Sequence, residues 1–240
     1  VGLRPRVSLF EEDISEDTEV KVFGEGEEDT GKITGLEKEI EWIELAVEEL
    51  RKGKTVSLLS AGDPGIYGIA GLVFEYFESK EEKFEVEVVP GITALNAAAS
   101  SLGAPLMQDV ALISLSDLLA PWEVKKKRLA SAAKSDFVIA IYNPKTKHER
   151  RNWQMEEAYD ILLEYRSPDT PTGIVRRASR EDETTHLMDL EDISDYEPQI
   201  DFLTLVIVGN SSTFIKDGRM VTARGHQGNF SDGSWGEYLK

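Results

Sequence analysis

Apolar positions along this chain follow two periods, short runs of strand length and longer stretches recurring every three or four residues, and their alternation predicts an α/β fold. A first helix is predicted from Ile33 to Gly53: Leu36, Ile40, Ile43, Val47 and Leu50 form its stripe, Thr34 with Glu37 can cap it, and Lys52 and Gly53 end it. Val56, Leu58 and Leu59 then make a buried strand that breaks at Gly62-Asp63-Pro64-Gly65. Beyond the break Ile66, Ile69, Ala70, Val73, Phe74 and Phe77 return at helical spacing. Phe84 to Val89 reads as a second strand stopped by Pro90-Gly91, so the two strands and the helix between them make a right-handed parallel crossover. Ile92 to Leu102 is a helix of small residues, ended by Gly103-Ala-Pro105.

The pattern restarts with a strand at Val110 to Leu115, which sets the expected domain boundary: an N-terminal α/β domain over 1–107 and a C-terminal one over 108–240. In the second domain the pattern predicts a helix containing Trp122 and the Lys125 to Arg128 run. A strand at Phe137 to Tyr142, a helix at Trp153 to Tyr165 and strands at Thr172 to Val175, Thr184 to Leu190 and Phe202 to Val208 follow. Asp217-Gly218 turns a final hairpin before Met220. Residues 1–35 carry two short apolar runs, Val7 to Phe10 and Val20 to Phe23, in an acidic, glycine-rich setting. There Gly24-Glu-Gly26 reads as a solvated loop, because no apolar helix opens after it.

Composition narrows the chemistry. The 240 residues are 40% hydrophobic, enough for proper cores, and contain no cysteine, which excludes disulfides, thiolate metal sites and cysteine nucleophiles. His148, His186 and His226 are too scattered for a metal cluster, so no metal site is expected. No apolar run is long enough to cross a membrane, and the N-terminus has no signal pattern, which points to a soluble, cytoplasmic protein. A formal charge of −18 repels phosphates and argues against nucleic acid as a partner; a surface of this sign also suits a saline cytoplasm.

The predicted strands share one habit, that they stop at polar or glycine-containing ends: Gly62-Asp63, Pro90-Gly91, Ser114 to Asp117, Tyr142-Asn143-Pro144, Arg176 to Ala178 and Gly209-Asn210. Open α/β sheets bind ligands at the carboxyl ends of their strands, so all these ends are expected around one cleft between the domains. Gly62, Gly65, Gly68 and Gly71 fall every third residue, a spacing that permits positive φ and close approach of a ligand to main-chain N–H groups. The loop is neither a Walker loop, which needs Gly-Lys-Ser/Thr, nor the Gly-x-Gly-x-x-Gly dinucleotide fingerprint. A tight turn without a ligand fits the loop alone equally well.

Ser60-Ala-Gly-Asp-Pro-Gly-Ile-Tyr-Gly68, Val88-Val-Pro-Gly-Ile-Thr-Ala94 and Val206-Ile-Val-Gly-Asn210, in this order, resemble the tetrapyrrole methylases. Ile113 to Trp122, Phe137 to Pro144, Gly173 to Arg176 and Asp217 to Thr222 resemble the branch that methylates C-17 of precorrin-3B or cobalt-factor III in cobalamin synthesis. The resemblance covers residues 36–226 and implies a two-domain fold, a mainly parallel sheet in the first domain and a mixed sheet in the second. It implies S-adenosylmethionine as methyl donor, a tetrapyrrole acceptor in which cobalt is a candidate passenger, contraction of the ring, and a homodimer. By the family pattern Asp63, Gly65, Ile66, Thr93, Ala94, Tyr142, Asn143, Ala178, Gly209 and Asn210 are the expected S-adenosylmethionine contacts. Asp117, His148 and Ser116 are the candidates for moving protons during contraction. Ser114, Lys145, Lys147, Arg150, Arg151, Arg176 and Arg177 are the candidates for meeting the acceptor and its carboxylates; for all of these, helix caps or a solvated surface remain the alternative. The family's usual first strand and Gly-x-Gly-Pro-Gly-Asp loop have no counterpart in residues 1–35, which keeps open a relative that binds S-adenosylmethionine or a corrinoid without catalysing.

Overall fold

Residues 2–3, 22–23, 35–116, 120–145 and 153–224 are described by a computed structural model, in which the chain divides into two compact units, Val1–Thr93 and Ala94–Lys240. In the first, β1 (Gly2–Leu3) pairs in parallel with β2 (Val22–Phe23). Helices α1 (Gly35–Arg51) and α2 (Ala70–Lys80) supply the core. Ile43 and Val47 of α1 meet Val73 and Phe77 of α2, and Leu58, Phe84 and Val86 pack against that cluster, with the Phe77 and Phe84 rings edge to face at 5.8 Å. The two apolar runs expected as strands, Val56 to Ser60 and Phe84 to Val89, form no ladder among the described residues. Val56, Leu58, Leu59, Phe84 and Val86 are half-buried and Val88 and Val89 exposed, so neither run is the buried strand expected. Apolar patterning marks a run as suited to a sheet; it does not supply the neighbour a strand must pair with.

Helix α2 begins at Ala70, four residues later than the apolar spacing implies. The intervening residues belong to the turn, where Gly62 and Tyr67 take positive φ and the Ala70 N–H donates to the Pro64 carbonyl at 3.0 Å.

The second unit opens with α3 (Ala94–Leu102) and β3 (Gly103–Ala104). Its main sheet is built from β4 (Val110–Ser114), β5 (Val138–Tyr142), β6 (Pro171–Arg176), β7 (Thr184–Asp189) and β8 (Thr204–Val208), in the spatial order β4-β5-β8-β6-β7. Of the paired neighbours only β4 and β5 are parallel; β8 runs against both β5 and β6, and β7 against β6. Helices α4 (Trp122–Lys134) and α5 (Trp153–Leu163) cover one face, where Leu129, Met155 and Leu162 meet Ile139, Ile141, Ile174 and Val206. Short helical turns between Leu190 and Gln199, which the apolar pattern did not disclose, include α6 (Ile193–Tyr196) and seat Leu190 and Ile193 in that same core.

The other face belongs to α3. Leu95, Ala98, Ala99 and Leu102 pack on Val138, Ala140, Val175, Leu205 and Ile207, and a Cβ on Gly173 would lie 2.4 Å from Leu102 Cδ1. This buried contact is why the compact units divide at 93/94, whereas the sequence pattern places the boundary at 107/108. The hairpin of β9 (Thr213–Lys216) and β10 (Arg219–Thr222) forms as expected, with β3 added in parallel to β10. No described helix is long and apolar enough to cross a membrane, and the described residues hold no cluster of metal-ligating side chains.

Candidate functional site

In the first unit the Gly62 to Gly68 loop is fastened by Asp63. Its Oδ1 accepts the Gly65 N–H at 2.8 Å and its Oδ2 the Gly91 N–H at 3.0 Å, so one carboxylate joins the loop to the Pro90-Gly91 turn. The Gly91 and Gly65 N–H groups hold this carboxyl below its ordinary range, slight burial opposes them, and the Ile66 N–H adds to the lowering. Glycine is required here for two different reasons. Gly62 sits at φ 72°, while a Cβ on Gly91 would lie 2.2 Å from the Gly62 carbonyl oxygen and one on Gly68 2.5 Å from that of Pro64. Gly71 faces open space, so the three-residue spacing is not a single device. Ile66, Tyr67, Val89 and Ile92 flank the fastened loops and are exposed, Ile92 to 73%. Thr93 is half-buried at the end of the unit.

In the second unit strand direction decides which ends meet. Since β4, β5 and β6 point one way and β7 and β8 the other, Ser114 lies opposite Tyr142, and Arg176 lies opposite both Thr184 and Thr204. Along this edge the Tyr142 hydroxyl accepts the Leu95 N–H at 2.9 Å, satisfying an orphan donor in the first turn of α3 right after Ala94. Asn143, at φ 49°, donates through Nδ2 to Ser114 Oγ at 3.0 Å, and the Ser116 N–H reaches the same oxygen at 3.3 Å. Buried Lys125 donates from Nζ to the Ser114 carbonyl at 2.9 Å. Arg177 and Ser179 also adopt positive φ, 56° and 59°, with half-buried Ala178 between them packed against the α3 core. Arg176 Nε donates to Asp201 Oδ2 at 2.7 Å, and Arg177 Nε lies 2.7 Å from Asp182 Oδ1. Burial pushes the Asp201 carboxyl up, but Arg176, the Thr204 hydroxyl and the Leu203 N–H outweigh it and hold it below the usual range.

The structure thus gathers Ser114, Ser116, Tyr142, Asn143, Arg176, Arg177 and Ala178 on one sheet edge, and Asp63, Gly65 and Ile66 beside Gly91 in the first unit. It does not bring Gly209 and Asn210 to that edge. They follow β8, which is antiparallel to β5 with Val208 opposite Ile139, so they lie at the opposite end of the sheet. There Asn210 Nδ2 donates to the Asp136 carbonyl at 3.2 Å and to Gln108 Oε1 at 2.8 Å, and its Oδ1 accepts the Ser212 N–H at 3.1 Å. A Cβ on Gly209 would meet that of Thr213 at 2.6 Å, so this motif is a packed turn. Lys145 is buried, not set on an open mouth. Asp117, Lys147, His148, Arg150 and Arg151 lie outside the described residues. Lys125 and Asp201 were not singled out from sequence: one is lost in a basic run, the other in a helix-to-strand connection, and only the fold brings them to the edge.

The sequence profile of the tetrapyrrole (corrin/porphyrin) methylases matches residues 4–194. This chain belongs to that family. Among curated relatives, the cobalt-factor III methyltransferase of Priestia megaterium is 50% identical over 198 residues, which cover 81% of this chain and 36% of that protein. The probable cobalt-factor III C(17)-methyltransferase of Salmonella typhimurium is 47% identical over 193 residues, covering 80% of this chain and 78% of that one. Among solved structures, the methyltransferase CobJ superposes with a TM-score of 0.76 at 32% identity, over 93% of this chain and 87% of its own. The α/β architecture described above is therefore the tetrapyrrole methylase fold.

Proposed function

We propose that this tetrapyrrole methylase is an S-adenosylmethionine-dependent methyltransferase of cobalamin synthesis that methylates C-17 of cobalt-factor III, with precorrin-3B as the cobalt-free alternative, and contracts the ring. The observation that carries the proposal is the identity shared with the Salmonella protein over most of both chains. The described residues fit the donor. Asp63 already holds the N–H groups that would otherwise cradle an anion, and its own negative charge favours a ligand with a cationic centre.

S-adenosylmethionine, when bound, supplies an electrophilic methyl group on a sulfonium, so the chain's own task is to position and to keep dry. In the first unit Gly65, Ile66 and Thr93 are the proposed donor contacts, with Asp63 holding the Gly62 to Gly68 loop in place. In the second unit Ala94, Tyr142, Asn143 and Ala178 are proposed for the donor on the family pattern alone. Tyr142 holds the start of α3, and Asn143 fixes Ser114, which supports Ser114 as an orienting contact for the acceptor. Arg176 and Arg177 are paired with Asp201 and Asp182, so they organise the edge, and recognition of acceptor carboxylates falls to Lys147, Arg150 and Arg151. Ser116, Asp117 and His148 are the proposed proton carriers for contraction, the latter two on their chemistry alone. A cytoplasmic homodimer completes the proposal.

The test incubates the 240-residue chain with S-adenosylmethionine and cobalt-factor III, and separately with precorrin-3B, followed by mass spectrometry of the macrocycle. A product one methyl group heavier supports the reading, and the preferred acceptor decides whether cobalt is already present. Binding of the donor with neither acceptor converted would favour a non-catalytic relative.

A further inference from the structure

We propose that Asp63 is a positioning residue: it governs ligand affinity by fastening the Gly62 to Gly68 loop to the Pro90-Gly91 turn, not by touching the ligand. This deepens the reading above and rests on it only for the identity of the ligand. Both carboxylate oxygens are already engaged, Oδ1 by the Gly65 N–H two residues on and Oδ2 by the Gly91 N–H 28 residues on. Two main-chain N–H groups pointing at one concavity are what an anion site offers, and here the chain's own carboxylate fills it.

The fastened segments approach so closely that the Gly62 carbonyl oxygen would stand 2.2 Å from a Cβ on Gly91, and a Cβ on Gly65 would lie 3.2 Å from Asp63 Oδ1, tighter than an ordinary contact. Spacing and charge can therefore be attacked separately. Asn in place of Asp63 keeps the shape but turns an amide donor toward one of the two N–H groups. Ala in place of Gly91 leaves the carboxylate intact and forces the segments apart. If Asp63 works through spacing, the two changes act on the same thing and their effects do not add.

The test has two arms on the full 240-residue chain. In the first, amide resonances of ¹⁵N-labelled protein are followed with pH: Gly65 and Gly91 are expected to titrate together with one carboxyl below the ordinary range, and to lose that titration in Asp63→Asn. A Gly91 amide indifferent to this protonation overturns the proposal. In the second, S-adenosylmethionine affinity is measured by calorimetry for the wild type, Asp63→Asn, Gly91→Ala and the double variant. Each single change is expected to weaken binding about tenfold, with the double no weaker than the worse single, and the shared titration is expected to survive saturation with the donor. A harmless Gly91→Ala, additive losses, or a ligand that abolishes the Gly91 titration would make Asp63 a direct contact and overturn it. A wild type that binds no donor defeats the methyltransferase reading, while the resonance arm still decides the fastening.

Discussion

Asn143 carries two duties that a different side chain would separate. Its backbone at φ 49° lies in the left-handed region, which asparagine tolerates and β-branched residues do not, and its Nδ2 fixes Ser114 Oγ. Asn143→Gly should cost no more than about 1 kcal/mol, the lost hydrogen bond being offset by backbone relief. Asn143→Val should cost about 2–3 kcal/mol, adding the left-handed penalty, and urea unfolding of the two variants measures the difference. At the opposite end of the sheet, partial burial pushes the Asp136 carboxyl up, yet the Ser211 hydroxyl and N–H and the Arg166 guanidinium outweigh it and hold it down. A carboxyl depressed in the folded state stabilises above its unfolded value of about 3.9, and that contribution disappears as pH falls from there through the folded value. Asp136→Asn should therefore lower stability at neutral pH and flatten the acid limb of the stability curve, as read by urea midpoints over a pH series.

Among the elements, α3 fits closely on its sheet. Its Leu102 sits where any Cβ on Gly173 of β6 would collide, so Gly173→Ala should destabilise by about 1–3 kcal/mol, and shortening Leu102 in the same chain should recover part of the loss. Tyr142→Phe removes the acceptor for the Leu95 N–H and should cost about 1 kcal/mol, with thermal melts as the check. The strands of the second unit were legible because Val138 to Ile141 and Leu205 to Val208 are continuous apolar runs buried on both faces of a sheet. Their direction was not legible. Nothing in the run ending at Val208 says that it opposes β5, and Gly209-Asn210, expected with the other strand ends and given as a donor contact by the family pattern, lies at the far end of this sheet for that reason. The start of α2 was misread in a similar way: Ile66 and Ile69 continue the helical period through residues that the Pro64-to-Ala70 hydrogen bond keeps in a turn. The Gly62 to Gly68 segment itself was legible as a loop, but the hydrogen bond from its aspartate to Gly91, 28 positions away, is one that local spacing cannot disclose.

For the molecule as a whole, a formal charge of −18 over 240 residues means self-repulsion that salt relieves. Raising sodium chloride from about 0.05 to about 1 M should raise the melting temperature of the chain, since the Debye length falls from over 10 Å to about 3 Å; a melting point indifferent to salt would mean the charges are already locally paired. The proposed methyl transfer to C-17 is a question of chemistry. It is tested most directly by giving the full chain S-adenosylmethionine with an isotopically labelled methyl group together with cobalt-factor III, and locating the label by mass spectrometry and nuclear magnetic resonance of the product. One labelled methyl group per macrocycle, carried on C-17, is the expected result. A chain that binds the donor in calorimetry yet leaves the acceptor unlabelled, or labels another carbon, would contradict it.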